Sequence, residues 1–483
     1  MPFAQAVEST NTIVSGLSSA EVITHVVPVI ERLATGEWFT SRVSAAGLFA
    51  TAAGRLGQSE ASSKLQELFK TLCSDDTPMV RRAAAKHIGA FAEASGAAAA
   101  GSELLPLFSQ LAGDDQDSVR LLAIENCTAF ARVLSGPAKE SSILPLVKAC
   151  AEDKSWRIRN TIAQAFHEVS EALGASAAQT QLLPLFVKLL QDPEAEVRSN
   201  AAKQLQGYCA LVGAQTFATS VLSTLESLAG DVAQNVRVAA AGSIMQTITA
   251  LSSDVARTKC LPLVLQLLKD EAAEVRTKVL SLLKSAVDAV GAEVLERDLT
   301  PTLLALASDA QWRVRESLVQ QMPLCASVMG ASSFEARLLP LCLSSLEDSV
   351  ASVRNAAAHS MEGLGNALGA EWSAVHLAPR LREMFEVSHH FTQRITVLYA
   401  VQGLAKAADH GAVVTDLLQL VTAAARDGVP NVRLVAARCL KAVAHSVPED
   451  QYATVVKPTL LQLEADADSD VKHFAAESRA SME

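Results

Sequence analysis

Apolar runs such as Leu104-Leu105-Pro106-Leu107-Phe108 and Leu338-Leu339-Pro340-Leu341 recur along the chain, each followed by a polar turn and then a Val-Arg pair or a close variant. The arginines stand at 42, 81, 120, 159, 198, 237, 276, 315 and 354, so every step is 39 residues; the register slips by one to Arg394, then resumes at Arg433 and Lys472. Six residues before the basic position lie Asp75, Asp114, Asp153, Asp192, Asp231, Asp270, Asp309, Asp348, Asp427 and Asp466. Fourteen before it lie Pro28, Pro106, Pro145, Pro184, Pro262, Pro301, Pro340 and Pro458, and three after it lie Ala84, Ala123, Ala201, Ala240, Ala357, Ala436 and Ala475. A unit of this length predicts two helices, one before the Asp turn and one opening with the Val-Arg pair. Proline removes a backbone donor and bends a helix, so the first helices are expected to bend alike. The small residues of the second helices allow close approach between neighbours.

Twelve complete units follow from the count, over residues 18–483, with 1–17 reading as the second helix of an incomplete unit before them. The fold class is therefore all-α, an α-solenoid whose units contact only their neighbours, and twelve of them stack into a rod on the order of 100 Å long. Composition agrees: 49% of residues are hydrophobic but only 4% aromatic, with Leu, Ala and Val dominating, which suits packed helices better than sheets. The net charge of −11 argues against a nucleic-acid groove, which needs clustered Lys and Arg. No stretch approaches the length needed to span a bilayer, and residues 1–16 lack the basic start and apolar run of a leader, so no membrane partner and an intracellular location are expected. The eight cysteines are widely spaced with no Cys-x-x-Cys, which predicts reduced thiols in the core rather than zinc or disulfides.

The Asp can accept backbone N–H groups at the start of the second helix, and the Arg fork can reach the turn of an adjacent unit. Such a ladder fixes register; exposed pairs contribute only about 0–1 kcal/mol each, and burial of Leu and Val supplies most of the stability. Binding surfaces of solenoids lie on the turns along one edge. Three of the four tryptophans fall there, Trp38, Trp156 and Trp312, the last two followed by Arg157 and Arg313; Trp372 begins a first helix. Trp and Arg dominate interface hot spots, but an indole can equally cover the end of its helix pair, and the sequence leaves both readings open. At Val387-Ser388-His389-His390-Phe391 the slip puts Ser388 where Asp is expected. Two adjacent histidines do not make a ligand set, so an irregular turn is expected rather than a metal site.

Catalytic signatures are absent: there is no Gly-Lys phosphate loop and no Gly-x-Ser-x-Gly elbow. His167-Glu168 begins a zinc-protease-like helix, but position 171 is Glu. Gly363, Gly365 and Gly369 imitate a dinucleotide fingerprint with no strand before them. Neither an enzyme nor a cofactor is expected.

Period and helix count resemble HEAT repeats, and the turns go further. Gly36-Glu37-Trp38-Phe39-Thr40-Ser41-Arg42, Cys73-Ser74-Asp75-Asp76-Thr77-Pro78-Met79-Val80-Arg81-Arg82, Asp117-Ser118-Val119-Arg120-Leu121-Leu122-Ala123, Glu152-Asp153-Lys154-Ser155-Trp156-Arg157 and Gln311-Trp312-Arg313-Val314-Arg315 resemble the scaffold (A, regulatory 65 kDa-type) subunits of protein phosphatase 2A. That resemblance implies a non-catalytic scaffold in a heterodimer or heterotrimer, cytoplasmic and also nuclear. It implies a phosphatase catalytic subunit held by Gln311, Trp312, Arg313, Trp372, His390, Phe391, Val429, Pro430, Asn431 and Asp468. It implies a variable regulatory B-type subunit held by Trp38, Phe39, Thr77, Pro78, Met79, Arg82, Asp117, Lys154, Ser155, Trp156 and Arg157. The family has more repeats than the twelve counted here, so the earliest units are expected to be missing, which bears on the regulatory end. The competing reading is a HEAT-repeat transport receptor or coat adaptor wrapping a protein cargo. From another class, a HEAT-type iron hydroxylase would need several His-Glu pairs, and only His167-Glu168 occurs.

Overall fold

A computed structural model describes residues 2–57 and 60–482, and among these every regular element is helical. The chain divides into two compact units, Met1–Leu251 and Ser252–Glu483. The boundary falls between two 39-residue modules, so each unit contains six, and the first also contains the helix Pro2–Ser15.

Residues 135–173 show how one module is built. The first helix begins at Gly136–Ala138, widens into a π-turn at Lys139–Ile143, and continues as Leu144–Ala151 with Pro145 near its start. The extra residue of the π-turn accommodates the donor that proline lacks and relieves its ring from the preceding turn. The same arrangement precedes Pro28, Pro106, Pro184, Pro262, Pro301 and Pro458. The bends predicted from proline are thus present, with two qualifications. Before Pro340 the helix breaks at Leu338 instead of widening, and a similar break at Val221 occurs where Ser223 replaces the proline. First helices with Glu67 or Gln419 in that place, Glu60–Cys73 and Gly411–Ala424, run through unbroken.

The link from one module to the next has its own period, which the sequence reading missed. Gly57, Gly96, Gly174, Gly213, Gly291, Gly330 and Gly369, each fifteen residues after a ladder arginine, all have positive φ between 58° and 97°. A residue with a Cβ is strained there. Ser18, Ser135 and Ser252 occupy the equivalent position with φ of −72°, −71° and −64° and extended ψ, and Ser18 and Ser252 also accept an N–H of the next helix. After the register slip, Asp409 takes a φ of 57° without being glycine.

Second helices form the inner contacts. Ala84, Ala123, Ala201, Ala240, Ala357, Ala436 and Ala475 are all buried, as the close-approach reading requires. In the first unit aromatic clusters join helices across modules: Phe49, Phe69 and Phe91 have centroids 4.8–5.5 Å apart, and Phe166, Phe186 and Tyr208 4.3–5.7 Å. All eight cysteines are buried and free, as expected. Gly363 and Gly365 lie inside the helix Ala351–Leu368, where an added Cβ would come within 2.7 Å of Pro323 and 2.8 Å of His410. Their spacing therefore serves helix packing.

Candidate partner-binding surface

The Asp and Arg of the repeat do form a ladder. Asp153 Oδ1 accepts the Ser155 N–H at 2.7 Å, fixing the turn before the second helix Trp156–Leu173. Arg159 donates through Nη1 to its own turn at the Asp153 carbonyl (2.8 Å), and through Nε and Nη2 to both carboxylate oxygens of Asp192 in the next module (2.6 and 2.9 Å). The same fork joins Arg42 to Asp75, Arg81 to Asp114, Arg120 to Asp153 and Arg198 to Asp231 in the first unit. In the second unit it joins Arg315 to Asp348, Arg394 to Asp427 and Arg433 to Asp466, while Arg276 is ion-paired with Asp309 and donates to it through Nη2 alone (2.9 Å). The Arg315 and Arg433 guanidiniums hold Asp348 and Asp466 below the usual carboxylate range. Two details differ from the sequence reading. Asp accepts from the residue just before the helix rather than from within it, and the helix opens three residues ahead of the Arg, placing Val-Arg one turn inside. The Asp closes the turn locally, which frees the next position to become the first helical residue.

That first helical position is the presented one. In five modules it is Ala195, Gln234, Ala273, Ala351 or Ser469; in the other seven it is Phe39, Pro78, Asp117 and Trp156 in the first unit, and Trp312, Phe391 and Pro430 in the second. These seven are all exposed except Trp312, which is half-buried. Trp38, the residue before Phe39, is 74% exposed. Arg157 lies over the Trp156 ring at 5.5 Å and Arg313 over Trp312 at 4.5 Å, so each pair presents a cation stacked on an indole. Met79 is exposed, with the half-buried Arg82 directing Nη1 to its sulfur at 3.8 Å. Lys154, Gln311, His390 and Asn431 are exposed beside these positions, while Thr77, Ser155 and Val429 are half-buried. Asp468 caps the helix Ser469–Ala480 by accepting the Asp470 and Val471 N–H groups.

Trp372 stands apart. It is 8% exposed, lies in the helix Ala370–His376, and packs against Phe334 and His376 rather than facing solvent. Its position in a first helix turns it toward the neighbouring module, so its indole is a packing element and not a presented face. Conversely, the sequence reading passed over Val232, which is almost fully exposed in the turn after Asp231, where sister modules carry the polar Asp76, Asp115, Lys154, Glu271 and Ser349 or the small or cyclic Pro193, Ala310, Gly428 and Ala467. Its being the β-branched residue of that column was the available signal. The residues expected to hold a regulatory subunit belong to Met1–Leu251, and those expected to hold a catalytic one belong to Ser252–Glu483.

Among the described residues no group of three or more His, Cys, Asp and Glu could hold a metal, and no helix is long and apolar enough to cross a membrane. His389 and His390 sit in the irregular turn. His167 packs against Gly207, where an added Cβ would meet its ring at 2.6 Å.

Residues 175–251 match the family model described as PPP2R1A-like HEAT repeat, and residues 65–95 match HEAT repeat. Over 89 residues the chain is 53% identical to a probable serine/threonine-protein phosphatase PP2A regulatory subunit of Caenorhabditis elegans, covering 18% of this chain and 15% of that protein. Over the same length it is 47% identical to the PP2A 65 kDa regulatory subunit of Drosophila melanogaster. With the A-type PP2A regulatory subunit of Saccharomyces cerevisiae it shares 40% identity over 84 residues, 17% of this chain and 13% of that one. The matched stretch thus spans about 15% of these relatives. Among solved structures, Kap95p with RanGDP has a TM-score of 0.70 at 15% identity, covering 100% of this chain and 66% of that one. Kap121p bound to Pho4p has 0.66 at 13% identity, covering 98% and 51%. At such identities these two likenesses show the fold alone.

Proposed function

We propose, from the premise that this is a HEAT-repeat chain related over part of its length to the 65 kDa A-type regulatory subunits of protein phosphatase 2A, that it is a non-catalytic scaffold of a phosphatase holoenzyme. The unit Ser252–Glu483 holds a serine/threonine phosphatase catalytic subunit, and the unit Met1–Leu251 holds a variable regulatory subunit. The complex works in the cytoplasm and the nucleus. One observation carries this reading: at Phe39, Pro78, Trp156, Trp312, Phe391 and Pro430 the second helix opens on an aromatic residue or proline, all exposed but the half-buried Trp312, and the turns before Pro78, Trp156, Trp312 and Pro430 are held by the Asp of the ladder. Such positions engage a partner with little ordering cost, because the backbone and one edge of each turn are fixed beforehand. Holding two subunits on one chain raises the effective concentration of one near the other.

The test is a pull-down of the phosphatase catalytic subunit by the full chain and by a chain carrying Trp312→Ala and Phe391→Ala. Loss of binding of tenfold or more is expected, with a regulatory subunit still captured; undiminished capture of the catalytic subunit removes the assignment of that unit. The transport-receptor reading has in its favour only the fold likeness to Kap95p and Kap121p, and capture of a small GTPase in place of the phosphatase would establish it.

A further inference from the structure

The ladder lacks a carboxylate at one step. Arg354 stands 39 residues after Arg315 and, like its sisters, donates through Nη1 to its own turn, at the Asp348 and Ser349 carbonyls (2.7 and 3.1 Å). In the next module Ser388 holds the place of the ladder Asp, as its carbonyl accepts Arg394 Nη1 at 3.1 Å just as the Asp427 carbonyl accepts Arg433 Nη1. The Ser388 hydroxyl is turned the other way, to Gln393 Oε1 (2.7 Å) and the His390 carbonyl (3.2 Å). Among the described residues Arg354 therefore has no ion-pair partner, and its Nε is a buried donor with no acceptor. Everywhere else in the second unit that a ladder arginine precedes a module with the Asp, the Asp occupies this edge. The surrounding turn is open and flanked by two exposed apolar residues, Val387 (68% exposed) and Phe391 (40%), with Ser388, His389 and His390 between them. Arg354 as a whole is half-buried, which leaves it within reach of solvent.

We propose that this gap is a docking point for an acidic side chain of the protein partner. An Asp or Glu on a loop of the phosphatase catalytic subunit supplies the missing carboxylate to the accessible edge of the half-buried Arg354 guanidinium, and an adjoining apolar residue lies against Val387 and Phe391. Charge complementarity names the occupant, because a guanidinium edge of this shape is matched by a carboxylate in every intact rung. A buried donor left unmet is unfavourable in the free chain, so the gain on binding includes its relief. The inference rests on the reading that Ser252–Glu483 grips the catalytic subunit, and adds the chemistry of one contact.

Two variants of the full chain test it. Ser388→Asp restores the carboxylate inside the chain, where it accepts the His390 N–H and the Arg354 fork as Asp427 accepts the Val429 N–H (2.8 Å) and Arg394. It is expected to keep or raise the melting temperature while weakening affinity for the catalytic subunit tenfold or more. Arg354→Gln is expected to weaken affinity to a similar degree, and the double variant no further. If both single variants bind as tightly as the native chain, the docking point is overturned while the grip of the unit stands. If the native chain does not bind the catalytic subunit, the reading and the docking point fall together. A Ser388→Asp chain that melts earlier, together with native affinity of Arg354→Gln, also overturns it.

Discussion

Arg159 and Asp192, thirty-three residues apart in sequence, meet edge to edge, Nε to Oδ2 at 2.6 Å and Nη2 to Oδ1 at 2.9 Å, with side chains only 15% and 5% exposed. Asp192 also accepts the Glu194 N–H at 2.9 Å. One carboxylate thus joins two modules and closes its own turn. Asp192→Ala leaves both the guanidinium and a backbone donor unmet, and a loss of about 2–3 kcal/mol is expected, between a surface pair and a fully buried one. Because repeat arrays need not unfold in one step, hydrogen exchange of residues 174–212 beside a denaturant curve is the measurement; unchanged protection there contradicts a joining role.

The ladder also predicts an acid limit. Hydrogen bonds from Arg315 and Arg433 lower the folded pKa of Asp348 and Asp466 below the unfolded value, which is about 4. Their contribution is present above the unfolded pKa and is lost as pH falls through the folded one. Melting temperature should be insensitive to these two groups above about pH 5 and fall below about pH 4. In Asp348→Asn with Asp466→Asn that acid slope should shrink, measured by thermal melts from neutral to acid pH.

Burial raises the thiols, those of Cys150 and Cys325 to about 12 and those of Cys127 and Cys439 well above the usual thiol range. The thiolate is the reactive form, so an aromatic disulfide reagent at mildly alkaline pH should titrate none of the eight until denaturant is added. Rapid reaction of the native chain would reveal local opening of a module.

Gly174 and Ser135 occupy the same place in successive modules but with φ of 97° and −71°. Gly174→Ala should cost about 1–2 kcal/mol through backbone strain. Ser135→Gly should cost less than about 1 kcal/mol, since it adds only unfolded-state freedom. Paired denaturant curves decide the difference, and equal effects would refute the conformational origin.

Trp372→Ala and Trp156→Ala separate packing from presentation. Removing the buried Trp372 ring, in contact with Phe334 and His376, should cost about 3–5 kcal/mol. Removing Trp156, exposed with Arg157 beside it, should change stability by under about 1 kcal/mol and weaken capture of a regulatory subunit. A stable Trp372→Ala chain would mean that the indole is not part of the core.

Much of this was legible in the chain. The 39-residue period, the two helices per module, the bends near proline and the pairing of Asp with Arg follow from residue types at fixed offsets, because each module repeats the same local chemistry and meets only its neighbours. The turn row was legible for the same reason. The burial of Trp372, which the resemblance puts among the residues holding the catalytic subunit, was not legible because it is set by Phe334 and His376, and Phe334 lies outside its own helix turn. The glycine period stood in the sequence too, fifteen residues after a ladder arginine, and was passed over; the positive φ that explains it shows only in the structure.

What the sequence determined by itself is therefore the repeated unit and the columns of its alignment, since these depend on spacing alone. The tertiary structure decided which members of a column face solvent, which way Ser388 turns its hydroxyl, and that Arg354 is left without the carboxylate its sisters have. The Ser388 hydroxyl is set locally by His390 and Gln393, whereas a ladder arginine depends on a carboxylate more than thirty residues away, where one substitution changes the surroundings of a residue that has not itself changed.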